Sequence, residues 1–334
     1  MDRLFRSFGL SLVLTVLALG FVFVARNAAA GATVIVLAVI ELVFSFDNAV
    51  INARILNMLS IFWQRLFLSV GILIAIFGVR ALLPLLIIAL STHVSLGEVA
   101  TLALHQPTQY AHELELAHPV IAAFGSAFLL MLSLHFLTTE HEVRWLKRIE
   151  TPLGRSEYWW LPLVVVGVLT VPVTLGGGGE QRWAMLAAGV CGVVGYSLLN
   201  SIVALMGKAF TGKGIRRTGL TALVTFIYLE VIDASLSFDG VIGAFAITSD
   251  IMLIAVGLGI GAVWIRSLTV YMVRHKTLQA YRYLEHGAHY AILVLALTML
   301  LSIIVAVPGF LAGIVCLGIM AAAVLTSRSM GRYA

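Results

Sequence analysis

Charge is what this sequence lacks most. Of its 334 residues only 11% are Asp, Glu, Lys or Arg, against roughly a quarter in an ordinary soluble domain. So few charges exclude a chain wetted over most of its surface. Cysteine is almost missing: Cys191 and Cys316 both sit in apolar runs, which excludes a disulfide framework and a metal-binding Cys pair. A nucleotide-binding loop is missing too. Gly176 to Gly179 has no trailing Lys-Ser/Thr, and Gly207-Lys208 is followed by Ala209, so the backbone cradle and lysine that hold phosphates are not assembled. There is no His-Glu-x-x-His for a zinc protease. Basic residues outnumber acidic ones by 21 to 16, yet they form no clustered stripe of the kind a nucleic-acid site needs.

What is abundant is apolar length. Hydrophobic residues make up 61% of the chain, and a membrane span needs about 20 of them. Ten helices are predicted, at roughly 8–25, 31–57, 64–92, 119–139, 158–175, 183–207, 218–247, 251–273, 287–306 and 309–326. The expected fold class is all-α, a polytopic transmembrane helical bundle. Placing the N-terminus in the cytoplasm puts seventeen of the 21 basic residues inside and leaves only Arg26 and Arg182 outside, with Arg80 and Arg266 within helices. That asymmetry follows the positive-inside rule and places both termini in the cytoplasm, in the inner membrane. The first helix, with its basic start and Ala28-Ala29-Ala30, also has the look of a signal peptide. Its apolar stretch exceeds the usual 7–15 residues of such a segment, so a retained helix is expected over 1–30.

An acidic signature occurs twice. Ile40-Glu41-Leu42-Val43-Phe44-Ser45-Phe46-Asp47-Asn48 aligns without a gap on Ile232-Asp233-Ala234-Ser235-Leu236-Ser237-Phe238-Asp239-Gly240. Val70-Gly71, Ile74 and Arg80 match Val256-Gly257, Ile260 and Arg266 at identical spacing. The first acidic helix is expected to run inward and the second outward, which makes two inverted-topology repeats, 31–139 and 218–306. Between them lies a linker, 140–217, with two helices and basic cytoplasmic loops, and after them a C-terminal helix and tail, 307–334. Inverted repeats of this kind hold a site near the midplane, on interrupted helices.

An ionisable group inside a membrane costs at least about 2.5–3.5 kcal/mol on insertion scales, so its presence demands a reason. In unbroken helices Glu41 and Asp47 face about 120° apart, which predicts unwinding around Ser45–Asn48 and Ser237–Gly240. Glu41, Asp47, Glu230, Asp233 and Asp239 offer carboxylates, and Asn48, Ser45 and Ser237 add neutral oxygens. Oxygen-only ligation suits hard cations such as Mg²⁺, Ca²⁺ or Mn²⁺. Five acids against Arg80 and Arg266 leave three negative charges, room for one divalent ion and one proton. A purely structural alternative pairs Asp47 and Asp239 with Arg80 and Arg266. Glu230 aligns with Ala38 and has no partner in the first copy. The segment 93–118 carries His93, His105, His112 and His118 with Glu98, Glu113 and Glu115. It reads as a solvated outer loop, with metal capture as the alternative. His135 reads as a packing residue.

At the paired motifs Glu41-x-x-x-Ser45-x-Asp47-Asn48-Ala49 and Glu230-x-x-Asp233-Ala234-Ser235-x-Ser237-x-Asp239-Gly240, and at Phe124-Gly125 through Met131, the chain resembles the TerC-like family of bacterial integral membrane proteins. The likeness is to its longer branch, often left as a domain of unknown function, and runs over roughly 30–310. The family is named for tellurium-compound resistance, and some members are associated with manganese efflux and metal supply to exported enzymes. The resemblance implies a cation site at Glu41, Asp47, Asn48, Asp233 and Asp239, asymmetric because Gly240 replaces Asn48 in the second copy. It alone implies efflux. The expected activity is thus transport of a divalent metal, Mn²⁺ first, with proton exchange, no permanently bound cofactor, and the metal ion and the bilayer as partners. The alternatives are an intramembrane aspartyl enzyme using Asp47 and Asp239, and a membrane scaffold that moves no metal itself.

Overall fold

The computed structural model describes residues 2–82, 85–86, 88–89, 94–141, 143–154, 160–177, 181–210, 217–245, 247–248, 250–305, 307 and 309–330. Among these the chain is all helix. In order come α1 (Asp2–Ala25), α2 (Ala28–Phe44), α3 (Phe46–Asn57), α4 (Ile61–Leu68), α5 (Val70–Leu73) and a π-helical segment (Ile74–Leu82). Then follow α6 (Leu96–His105), α7 (Pro107–Thr138), α8 (Lys147–Gly154), α9 (Leu161–Gly177), α10 (Arg182–Phe210), α11 (Gly219–Phe245), α12 (Ile251–Arg274), α13 (Thr277–Ala280), α14 (Leu284–Ser302) and α15 (Gly309–Met330).

Seven of the described helices are long and apolar enough to cross a membrane, or eight when the bent pair α2–α3 counts as one. The chain is therefore a multi-pass membrane protein. α9, at 17 residues, is short for a span. α11, at 27 residues, measures about 40 Å along its axis at 1.5 Å per residue, and carries the second set of acids.

The chain divides into two compact units, Met1–His118 with Leu229–Arg274, and Pro119–Tyr228 with His275–Ala334. In the first, α12 packs against α1, α2, α3 and the π-helical segment. One apolar cluster there is Val22, Val34, Leu253 and Ile260. Lipid-like surroundings provide little hydrophobic drive between helices, so close approach depends on small residues and neutral hydrogen bonds. Both are present. A Cβ at Gly261 would stand 2.5 Å from the Cβ of Glu41. Ser11 and Ser267 share a 2.6 Å hydroxyl contact, and Trp264 Nε1 donates to Thr15 Oγ1 at 2.9 Å.

α2 starts at a side-chain cap, Asn27 accepting from the Ala30 N–H at 2.8 Å. It stops at Ser45, whose φ of −99° and ψ of 16° leave the helical range. α3 restarts one residue later, bent 54° from α2. The predicted break around Ser45–Asn48 is thus centred on Ser45. The predicted unwinding at Ser237–Gly240 is not there: α11 runs through it as continuous helix. The two acidic copies therefore differ in backbone. The predicted span 64–92 is also interrupted, at Ser69 and then by the π-helical turn.

The segment 93–118 is not the loop that its polar residues suggested. Ser95 caps α6 through a reciprocal capping box with Glu98, and Pro107 opens α7 at a position where its missing N–H is no loss. Pro119, taken as the start of a span, lies inside α7. His105, His112 and Glu115 are exposed and His118 is half-buried; His93 lies outside the described residues. The hydrogen bonds from Ser95 hold the Glu98 carboxyl below its ordinary range.

In the second unit α14 packs on α15 and α9 on α10. Phe128, fully buried, meets Tyr196 edge-on at 5.6 Å. Cys191 and Cys316 form no disulfide, and the Cys316 thiol donates to the Ala291 carbonyl at 3.3 Å.

Candidate functional site

The acidic signatures come together in the first unit, at the break between α2 and α3. Glu41 is in the last turn of α2 and is 2% exposed. Ser45 Oγ donates to its Oε1 at 3.0 Å, a bond available because the two residues are four apart on one helical face. Its Oε2 lies 2.7 Å from where a Cβ on Gly240 would stand. Gly240, the residue that replaces Asn48 in the second copy, thus makes room for the carboxylate of the first.

Asp47 opens α3, so its carboxylate sits at the positive end of the helix dipole. It is 3% exposed, and its Oδ2 has no hydrogen-bond partner among the described residues. Asn48 Nδ2 donates to Asp233 Oδ1 at 2.8 Å. Asn52, one helical turn on, donates to the same oxygen at 2.9 Å. Both amides are buried, and the Oδ1 of each lacks a hydrogen-bond partner among the described residues.

Glu230 and Asp233, both on α11, are held by Arg266, on α12. Its Nη1 and Nη2 donate to the two oxygens of Glu230 at 2.9 and 2.8 Å, and Nη2 also reaches Asp233 Oδ2 at 2.8 Å. The guanidinium is 1% exposed and lies over the Phe67 ring, 4.2 Å from its centroid. Gly71 makes this possible, because a Cβ there would collide with Nη1. Arg266, one of the cations in the structural alternative, is therefore engaged by Glu230 and Asp233. The side chains of Arg80, Ser237 and Asp239 lie outside the described residues.

Glu41, Asp47, Asn48 and Asp233 are thus buried in one unit, Glu230 is committed to an ion pair, and Asn52 is an addition. Sequence inspection missed Asn52, although the Asn48-x-x-x-Asn52 spacing, two amides on one face of a short polar helix, was a legible signal. Among the described residues no three His, Cys, Asp or Glu side chains group closely enough to hold a metal ion. The available donor set is mixed: carboxylate oxygen from Asp47 and amide oxygen from Asn48 and Asn52. Such neutral and anionic oxygens together suit hard cations.

The model of the family described as protein of unknown function, DUF475, matches residues 46–333. The chain is a member of DUF475. The matched stretch takes in Asp47, Asn48, Asn52, Glu230, Asp233 and Asp239 and leaves out Glu41. No curated protein and no solved structure matches this DUF475 chain.

A second buried polar centre, not anticipated, occupies the other unit. Glu150, 4% exposed, accepts from the Trp145 and Leu146 N–H groups at 3.0 and 3.1 Å and from the Tyr290 hydroxyl at 3.2 Å. His286 Nε2 lies 3.4 Å from its Oε2. Here a carboxylate closes the turn before α8 and ties it to α14.

Proposed function

We propose that this DUF475 protein transports a divalent metal cation across the inner membrane, with Mn²⁺ the first candidate and a proton moving in exchange. The observation that carries the reading is the set of buried acceptor oxygens of Asp47, Asn48 and Asn52 at a helix break, none of which has a partner among the described residues. A buried polar atom without a partner forfeits about 1–3 kcal/mol, and a bound cation removes that penalty at each oxygen it meets. Irregular backbone at membrane depth is tolerated where it is packed in protein or lines a polar path, and discontinuous helices supply ion sites in transporters.

In this reading Glu41 and Asp47 provide the charge, Asn48 the neutral oxygen and Asp239 the complement from the second repeat, while Asp233, its oxygens taken by Asn48, Asn52 and Arg266, orients the amides. Glu230, held with Asp233 by Arg266, anchors that repeat instead of binding the ion through free oxygens. The ten-helix arrangement, the two inverted repeats and cytoplasmic termini are part of the proposal. They are supported by the paired motifs and by the distribution of Lys and Arg. Kinship with the TerC-like family, and outward transport with it, rest on the motif resemblance.

Equilibrium binding to the purified protein tests the site. Mn²⁺, Ca²⁺, Mg²⁺ and Zn²⁺ are compared on wild type, Glu41→Gln and Asp47→Asn. Binding of a hard cation that both variants weaken supports the reading. Wild-type protein that binds none of them rejects an ion site. Cation binding without flux transfers the function to a metal-handling scaffold.

A further inference from the structure

Asn52 lies outside both acidic signatures, yet the geometry ties it to the same centre. Asp233 Oδ1 accepts from Asn48 Nδ2 and Asn52 Nδ2 at 2.8 and 2.9 Å. An ionised carboxylate only accepts, so each amide must turn its nitrogen toward Asp233. The ion pair to Arg266 at 2.8 Å maintains Asp233 as that acceptor. Each amide oxygen is consequently forced away from Asp233. The two side chains are neighbours on one face of α3, four residues apart, and their nitrogens converge on one atom, so their oxygens emerge side by side. Asn52 is fully buried and Asn48 is 2% exposed, and neither oxygen meets a donor among the described residues. Asp47 Oδ2, from the same turn of α3, is also buried without one.

We infer that Asn52 is a ligand of the cation site, its side-chain oxygen paired with that of Asn48, so that α3 presents two neutral oxygens side by side to one hard cation. The inference rests on the proposed cation transport and adds to it a residue that neither acidic motif contains. A water molecule bridging the two oxygens is the competing occupant, and a metal-binding measurement separates it from a cation. The Asp233–Arg266 pair behind the amides fixes which way both oxygens face. Asp233 then acts on the ion through the asparagines, as a positioning residue, while its charge remains matched by Arg266.

The test is Mn²⁺ binding to full-length protein in detergent, measured by loss of the free-Mn²⁺ electron paramagnetic resonance signal. Wild type is compared with Asn52→Ala, Asn52→Asp and Asp47→Asn. Asn52→Ala is expected to weaken binding by at least about 10–100-fold, the loss typical of removing even an outer-shell partner. Asn52→Asp keeps the ligand oxygen and discards the N–H donated to Asp233. It is expected to bind as tightly as wild type or tighter, and it carries the test alone if Asn52→Ala is not monodisperse. Asn52→Asp binding at least about tenfold more weakly than wild type would overturn the ligand role, because only the donated N–H would then matter. Asn52→Ala binding like wild type while Asp47→Asn does not would overturn this inference and leave the transport proposal standing. No binding by wild type would overturn both.

Discussion

Removing the Arg266 guanidinium while leaving its partners is the perturbation whose effect follows most directly from the structure. Arg266 makes three charge-assisted hydrogen bonds to Glu230 and Asp233, at 2.8 to 2.9 Å, with under a tenth of each side chain exposed. Taking away one partner of a buried pair costs about 3–5 kcal/mol, because the remaining charge is left uncompensated. Here two carboxylates are left, so Arg266→Met is expected at the upper end. The lost contact with the Phe67 ring adds about 0.5–2 kcal/mol. For a unit of this size each kcal/mol lowers the melting midpoint by about 2–4 °C, so Arg266→Met should fall by roughly 11–28 °C. Arg266→Lys should recover only part, since a single ammonium cannot fork across Glu230 and reach Asp233 together. Restoring charge balance with Glu230→Gln and Asp233→Asn in the Arg266→Met background should regain most of the loss. Thermal unfolding of purified protein in one detergent, followed by tryptophan fluorescence, reads all four proteins. An unchanged midpoint for Arg266→Met would refute the reasoning, since it would mean the two carboxylates do not depend on that cation.

Gly71→Ala forces a methyl against the guanidinium, and is expected to destabilise by about 1–3 kcal/mol in the same melt, with Gly78→Ala as an unobstructed control. Glu150→Ala strands the N–H groups of Trp145 and Leu146 and the Tyr290 hydroxyl, a loss of about 1–3 kcal/mol for each group left buried. Hydrogen exchange should speed up across 145–154, where Glu150→Gln, which keeps an acceptor oxygen, changes it less. The Glu98 carboxyl titrates below its ordinary value because Ser95 donates to it. Its capping contribution is therefore present above the unfolded pKa and is lost as pH falls through the lowered folded one. Protection factors of amides in the first turn of α6, taken relative to the slower intrinsic exchange in acid, should fall on acidification through that range. Ser95→Ala, which leaves only the backbone N–H bond to Glu98, should reduce the pH dependence.

Much of the membrane architecture could be read from the chain, because apolar length and the scarcity of charge are long-range signals that survive errors of a few residues. The break at Ser45 was legible for a related reason: Glu41 and Asp47 cannot share a face of an unbroken helix. The same logic failed at Ser237–Gly240. There α11 stays helical, and Gly240 serves instead to clear space for Glu41, a tertiary demand that nothing in its own segment reveals. The partner of Arg266 was equally hidden. The sequence allowed Asp47 and Asp239 as partners for Arg80 and Arg266, and the fold adds Glu230 and Asp233 at the Arg266 guanidinium through a gap at Gly71. The helix at 96–105 was announced by Ser95 and Glu98 at capping-box spacing, but the His and Glu content drew attention to solvation instead. Glu150 lay among basic loop residues, and only the fold brings Tyr290 and His286 to it.

The account stands or falls on cation flux. Protein reconstituted in proteoliposomes, loaded in turn with Mn²⁺, Ca²⁺, Mg²⁺ and Zn²⁺, is compared with Asp47→Asn and Asp239→Asn at matched incorporation. The account predicts Mn²⁺ flux in wild type that both substitutions abolish. Absence of flux for every ion, from protein that melts as a folded species, would contradict it.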